Sequence, residues 1–150
     1  MDLDMRDTML RQQRDSALFK SYQMALNTNT FASQKEAILY VLAHPAPQWF
    51  VSSEFCASVL SRWLRGKEAH YKMSKTKTRK FRALLEAYKE ARQDPAYSEL
   101  PLIKICEMLV ERPAPEWFLG YDSALSIIAE QRKIQNDKKT RELWRETHCA

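Results

Sequence analysis

The chain has 150 residues, 45% of them hydrophobic, which suffices for one ordinary domain or two very small ones. Glycine occurs only as Gly66 and Gly120 while helix-favouring residues abound, which excludes a strand-rich fold with many tight turns. The net charge is a modest +5, no apolar run could span a membrane, and the charged first residues do not resemble a signal peptide. These features favour a cytoplasmic protein.

The first half of the chain predicts three helices. The first, over residues 11–27, places apolar side chains on one face. The second begins at Ser33, where Glu36 three residues later completes a capping-box pattern, and it ends before Pro45. The third spans residues 53–66, and its final glycine suits the position after a helix end.

A six-residue phrase then recurs, as PAPQWF at 45–50 and PAPEWF at 113–118. Matches continue around it at an offset of 68, and further upstream at an offset of 66. The second half therefore predicts three more helices, over 76–93, over 98–111 and from a cap at Asp122 onward.

The sequence thus predicts an all-α protein of two tri-helical repeats, about six helices in total, with a basic connecting segment. The predicted organisation is repeat 1 at 9–66, a basic linker at 67–75, repeat 2 at 76–134 and a helical extension or tail at 135–150.

The repeated phrase has two interpretations. In the structural one, the prolines fix the chain between two helices, and the aromatic pair fills the gap between them. In the functional one, adjacent aromatics in an extended segment point to opposite sides, so one ring of each pair faces outward and contacts a base or a partner. The rings concerned are Trp49, Phe50, Trp117 and Phe118.

The segment SQKEAILYVLAHPAPQWFVSSEFCASVLSRWLRG, residues 33–66, resembles a helix-turn-helix segment. Residues 53–66 hold the place of its recognition helix, and residues 121–134 hold that place in the second repeat. A tandem of such units with tryptophans is similar in plan to Myb-like or paired-type DNA-binding proteins. The chain also resembles uncharacterised small proteins of gut bacteria and their mobile elements.

The helix-turn-helix resemblance implies that the starts of the two third helices face a DNA groove, through Ser52, Ser53, Tyr121 and Ser123. The sequence departs from the pattern in having a longer turn than usual. It also places Glu54 and Asp122 where acidic phosphates would approach.

Residues 62–82 hold nine basic residues and one acidic residue, a local charge of +8. Lysine and arginine in this density can contact successive phosphates, although a solvated linker is the alternative interpretation. The predicted phosphate contacts are Arg62, Arg65, Lys67, Lys72, Lys75, Lys77, Arg79, Lys80 and Arg82, together with Arg132 and Lys133 in the second half.

No sequence pattern indicates an enzyme, because a glycine-rich phosphate loop, HExxH and a nucleophile elbow are all missing. No metal site and no cofactor are predicted, and Cys56 and Cys106 lie in apolar patterns typical of buried thiols. We therefore expect a nucleic-acid-binding protein, with duplex DNA as the favoured partner and a regulatory or architectural role.

Two alternatives stay open. One is a helical adaptor, or a structural protein of a phage or mobile element, that docks a protein partner through the repeated aromatic loops. The other is self-association, in which the two halves form a bundle that dimerises without nucleic acid.

Overall fold

The computed structural model of the protein describes residues 3–67 and 73–148, with side chains from Asp7 onward. Its six helices are α1 (Leu3–Thr28), α2 (Gln34–Leu42), α3 (Ser53–Leu64), α4 (Lys75–Gln93), α5 (Leu102–Val110) and α6 (Tyr121–His148). The described residues contain no β-strand, which confirms the all-α class. None of these helices is both long and apolar enough to cross a membrane.

Side-chain caps fix the starts of α2 and α3 as the sequence predicts. Ser33 Oγ accepts a hydrogen bond from the Glu36 amide at 3.2 Å, and the Glu36 carboxylate accepts one from the Ala32 amide at 2.9 Å. Ser52 Oγ caps α3. At its other end, Gly66 adopts φ +77°, the left-handed conformation that closes a helix with least strain in glycine.

Three helix starts differ from the prediction. α1 begins at Leu3 rather than near residue 11. α5 begins only after Pro101, because the preceding residues form turns in which the Tyr97 amide donates to the Asp94 carbonyl. α6 begins at Tyr121, so Asp122 lies inside its first turn and is not the N-cap, although its charge still suits the helix dipole.

Two compact units divide the chain. The first contains the described residues up to Arg11 together with Leu42–Leu119, and therefore α3, α4 and α5. The second contains Gln12–Val41 and the chain from Gly120 onward, and therefore most of α1 with α2 and α6. Each compact unit draws its helices from both halves of the sequence.

The first unit is held together by the packing of α3, α4 and α5 against one another. Its buried side chains include Cys56, Val59, Leu60, Trp63, Phe81, Leu84, Tyr88, Ile105, Cys106 and Leu109. Cys56 and Cys106 are free, buried thiols, as the sequence predicts. A hydrogen bond to Cys106, together with burial, raises the pKa of Cys56, so this thiol stays neutral and serves as a small apolar side chain.

The second unit buries side chains of α1, α2 and α6. Its buried side chains are Leu18, Phe19, Tyr22, Ala25, Ala37, Ile38, Val41, Ala124 and Ile128. The Arg132 guanidinium donates to the Tyr22 hydroxyl at 3.4 Å and lies over the tyrosine ring. Beyond Gln135, every described side chain of α6 is exposed.

Candidate functional site

The two copies of the repeated phrase lie side by side in the first unit and bind each other. Ala46 and Ala114 form an isolated antiparallel bridge in which each amide donates to the other's carbonyl, at 3.0 and 2.9 Å. Both alanines are buried. A hydrogen-bonded antiparallel pair has local twofold symmetry, so one sequence meets a copy of itself with both backbone groups satisfied. We call this arrangement the hexapeptide pair.

The aromatic rings of the hexapeptide pair also exchange partners. Trp49 stacks on Phe118 with ring centroids 5.6 Å apart, and Phe50 stacks on Trp117 at 6.0 Å. Both tryptophans are only 5% exposed, Phe118 is buried, and Phe50 is half-buried. These rings therefore cover one another across the two copies, whereas the structural interpretation of the phrase places them between the helices of each half.

The backbone explains why neither aromatic of a pair is turned outward. Phe50 and Phe118 both adopt φ 53°, in the left-handed region, so the segment is not extended at these residues. The alternation that would place adjacent rings on opposite sides does not apply there. A left-handed conformation costs a non-glycine residue about 1–2 kcal/mol, which burial of the rings offsets.

The predicted phosphate-contacting residues of the first unit lie around the end of α3 and along the first half of α4. Phe81 of α4 meets two rings of α3 edge to face, Trp63 with centroids 6.3 Å apart and Phe55 at 5.5 Å, so these rings pack α4 along α3. We call the set the basic end. Its described members are Arg62, Arg65, Lys67, Lys75, Lys77, Arg79, Lys80 and Arg82, all exposed except the half-buried Lys80. Lys72, also predicted, lies outside the described residues.

Ordinary helix geometry orients the α4 part of the basic end. Lys75, Arg79 and Arg82 follow one another at i, i+4 and i+7, so they share one face of the helix. Phe81 and Leu84 are buried and lie on the opposite face. Burial of this apolar face therefore presents the cations to solvent.

The cations of the basic end differ in their local partners. Arg79 forms an ion pair of 2.6 Å with Glu116 and lies over the Phe118 ring, and Arg65 bonds Ser61 of its own helix. Four further exposed members have no carboxylate partner within the described chain, namely Lys67, Lys75, Lys77 and Arg82.

The first turn of α4 is unusual in its charge. Ser74 caps this helix by accepting from the Lys77 amide at 3.2 Å, and no acidic residue occupies the first turn. Lys75 and Lys77 therefore lie at the positive end of the helix dipole. Each of these two charges destabilises the helix there by about 0.3–1 kcal/mol. An anion bound at this end would reverse the penalty.

The predicted groove-facing serines lie at the start of α3, away from Arg62 and Arg65 along that helix. Ser52 Oγ is engaged in the α3 cap, and Ser53 Oγ donates to Glu54 at 3.4 Å. They lie at the opposite end of a 12-residue helix, which at 1.5 Å per residue is about 18 Å long. The buried face of α3 packs against α5 and α4.

The remaining predicted contacts belong to the second unit. Tyr121 is half-buried with the Lys35 ammonium 5.3 Å from its ring centre, whereas Ser123 and Lys133 are exposed. Arg132 is exposed but bonds Tyr22.

Sequence reasoning missed two local partners of the basic end, Ser74 and Glu116. A serine preceding a basic helix is a recognisable capping signal. Nothing in the sequence places Glu116 next to Arg79, because the two are distant along the chain. Sequence reasoning also missed that the two phrases pair with each other, although their near-identity could have indicated it.

Neither a metal site nor a related protein indicates a role for the basic end or the hexapeptide pair. Among the described residues, no group of three histidine, cysteine or acidic side chains could hold a metal ion. No family model, curated protein or solved structure matches the chain.

Proposed function

We propose that the protein binds nucleic acid, duplex DNA in particular, and that the basic end of the first unit contacts the phosphate backbone. The observation that carries this proposal is the exposure of seven cations around the end of α3 and along the first half of α4, two helices that pack together through Phe81. Among these cations, Arg79 pairs with Glu116. Such a surface attracts phosphates more strongly than a dispersed charge of the same size.

The binding mode is neutralisation of phosphates rather than reading of base edges. Each phosphate neutralised on duplex DNA contributes about 0.9 to the dependence of log affinity on log salt. Lys67, Lys75, Lys77 and Arg82 have no carboxylate partner within the described residues, so together they account for a slope of roughly 3–4. The amide groups at the start of α4 add hydrogen-bond donors for one phosphate.

We also propose that the chain is a tandem of two tri-helical repeats whose third helices are exchanged. The reciprocal hydrogen bonds and ring stacks of the hexapeptide pair support this arrangement. So does the grouping of α3 with α4 and α5. In this arrangement α3 serves as a packing helix of the first unit, and the regulatory or architectural role rests on the basic end.

The alternative of a protein partner docked on the repeated aromatics receives less support. Docking would require exposed ring faces in an apolar patch, and three of the four rings are buried. The basic end needs no such rearrangement.

The test is fluorescence anisotropy of a labelled random-sequence duplex, titrated at several salt concentrations. Replacing Lys67, Lys75, Lys77 and Arg82 together with glutamine should lower the salt slope by roughly 3–4 units. Circular dichroism should show unchanged helicity, because these side chains are exposed and lack ion pairs in the described chain.

The matched control removes the same charge elsewhere. Lys138, Lys139, Arg141 and Arg145 are four exposed cations of α6, and their replacement with glutamine should change the slope by less than about one unit. Equal losses in the two variants would mean that net charge alone drives binding. Absence of binding by the unmodified protein at low salt would refute the proposal.

A further inference from the structure

A cavity in the first unit lies apart from the basic end. Its volume is about 330 Å³, within the range of small-molecule sites. Trp49 and Leu109, both buried, contribute apolar lining, and the last turns of α4 supply Glu90 and Asp94. Arg112, just after α5, supplies a guanidinium. The cavity therefore combines an apolar lining with charges of both signs.

The opposite charges around this cavity do not neutralise each other. In the described structure, neither Glu90 nor Asp94 forms an ion pair with Arg112. The Arg112 guanidinium instead lies over the Tyr97 ring, 5.8 Å from its centre, and donates to Met108 Sδ. A tyrosine ring and a thioether sulfur are weak partners for a guanidinium, so Arg112 can still bind a carboxylate.

The carboxylates are placed where the local structure opposes them. Glu90 and Asp94 are one helical turn apart, where like charges repel each other. Both lie at the carboxyl end of α4, which carries the negative end of the helix dipole. Asp94 Oδ1 accepts from the Ala96 amide, which explains part of its placement, but Glu90 makes no such bond in the described structure. A bound cation would relieve both repulsions.

From these features we infer that the cavity binds a small zwitterion of the amino-acid type. Its ammonium group lies against Glu90 and Asp94, its carboxylate against Arg112, and its apolar body on Trp49. A purely cationic ligand would leave Arg112 without a partner of opposite charge. A purely anionic ligand would be repelled by two carboxylates. This inference does not depend on nucleic-acid binding by the basic end.

The experiment compares three probes that share one apolar body: L-phenylalanine, phenethylamine, which lacks the carboxylate, and 3-phenylpropionate, which lacks the ammonium. Each is titrated into ¹⁵N-labelled full-length protein while the indole N–H signal of Trp49 is followed, after assignment with Trp49→Phe. We expect L-phenylalanine to bind with a dissociation constant of about 1 mM, as the ligand efficiency of a small probe allows. It should bind at least about tenfold more tightly than either relative.

Two variants and two matched controls locate the charges. Glu90→Gln and Arg112→Gln should each weaken L-phenylalanine about tenfold. Glu86→Gln on α4 and Lys104→Gln on α5 remove the same charges outside the cavity and should leave affinity unchanged.

Three results would contradict the inference. If phenethylamine bound as well as L-phenylalanine and Arg112→Gln had no effect, the cavity would be a cation site and the inference would be wrong. Equal binding of 3-phenylpropionate, or no shift with any probe, would overturn it as well. A DNA titration of the same samples tests nucleic-acid binding by the basic end separately, so failure of one proposal does not decide the other.

Discussion

The two hexapeptides are nearly identical in structure, whereas the helices that follow them are not. Both copies place a buried alanine in the bridge, a tryptophan at 5% exposure and a phenylalanine at φ 53°. The helix after the first copy, α3, has 12 residues and buries four of them. The helix after the second copy, α6, has 28 residues and buries two.

The repeated phrase and the helices after it therefore have different structural roles. The shared phrase makes the hexapeptide pair, and its two copies need each other for hydrogen bonds and stacking. Trp63 of α3 corresponds to Gln131 of α6 at the offset of 68, and Trp63, like Phe55, contacts Phe81 of α4. The packing of α3 on α4 therefore uses a ring that the second half of the chain does not repeat.

The largest expected effect tests the equivalence of the two copies. Trp49→Ala and Trp117→Ala each remove a buried ring that stacks on a phenylalanine of the other copy. Each should lower the free energy of unfolding by about 3–5 kcal/mol, and the two losses should agree within about 1 kcal/mol. Urea unfolding followed by circular dichroism measures both.

Trp144→Ala is the control, because this tryptophan is 58% exposed on α6. Its replacement should change stability by less than about 0.5 kcal/mol. A large loss for one hexapeptide tryptophan beside a negligible loss for the other would show that the two copies are not energetically equivalent.

Much of this local structure is predictable from sequence, for identifiable reasons. The all-α class follows from composition and apolar spacing, and the caps at Ser33 and Ser52 depend on residues a few positions apart. The later start of α5 was missed because Pro101 and the turns before it interrupt a favourable apolar pattern.

The parts of the site that sequence could not supply depend on distant pairs. The Arg79–Glu116 ion pair spans 37 residues, and no local pattern encodes it. The pairing of the two phrases and the grouping of α3 with α5 also depend on tertiary contacts. By contrast, density of charge in residues 62–82 is visible directly in the sequence.

A smaller effect concerns the one position at which the two phrases differ, Gln48 against Glu116. Glu116→Gln removes the ion pair with Arg79, whose two side chains are 56% and 36% exposed. An exposed pair of this kind contributes less than about 1 kcal/mol, and the loss should shrink as salt screens the charges. Urea unfolding at low and high salt measures it.

The same variant should affect DNA binding in the opposite direction. Arg79 would be released from Glu116, so the salt slope should rise by up to about 0.9. Gln48→Glu, which adds a carboxylate to the first copy, provides the control for a change of charge within a hexapeptide. An unchanged slope for Glu116→Gln would place Arg79 outside the DNA contact.

The smallest expected effect lies in the part of α6 that has no counterpart in α3. Ending the chain after Gln135 removes only exposed positions from the described helix, so the unfolding midpoint should move by less than the equivalent of about 0.5 kcal/mol. Ile128→Ala, at a fully buried position of the same helix, should cost about 2–5 kcal/mol. Comparable losses for the two variants would mean that the distal half of α6 is packed in solution, and α6 would then resemble α3 more closely than its exposure indicates.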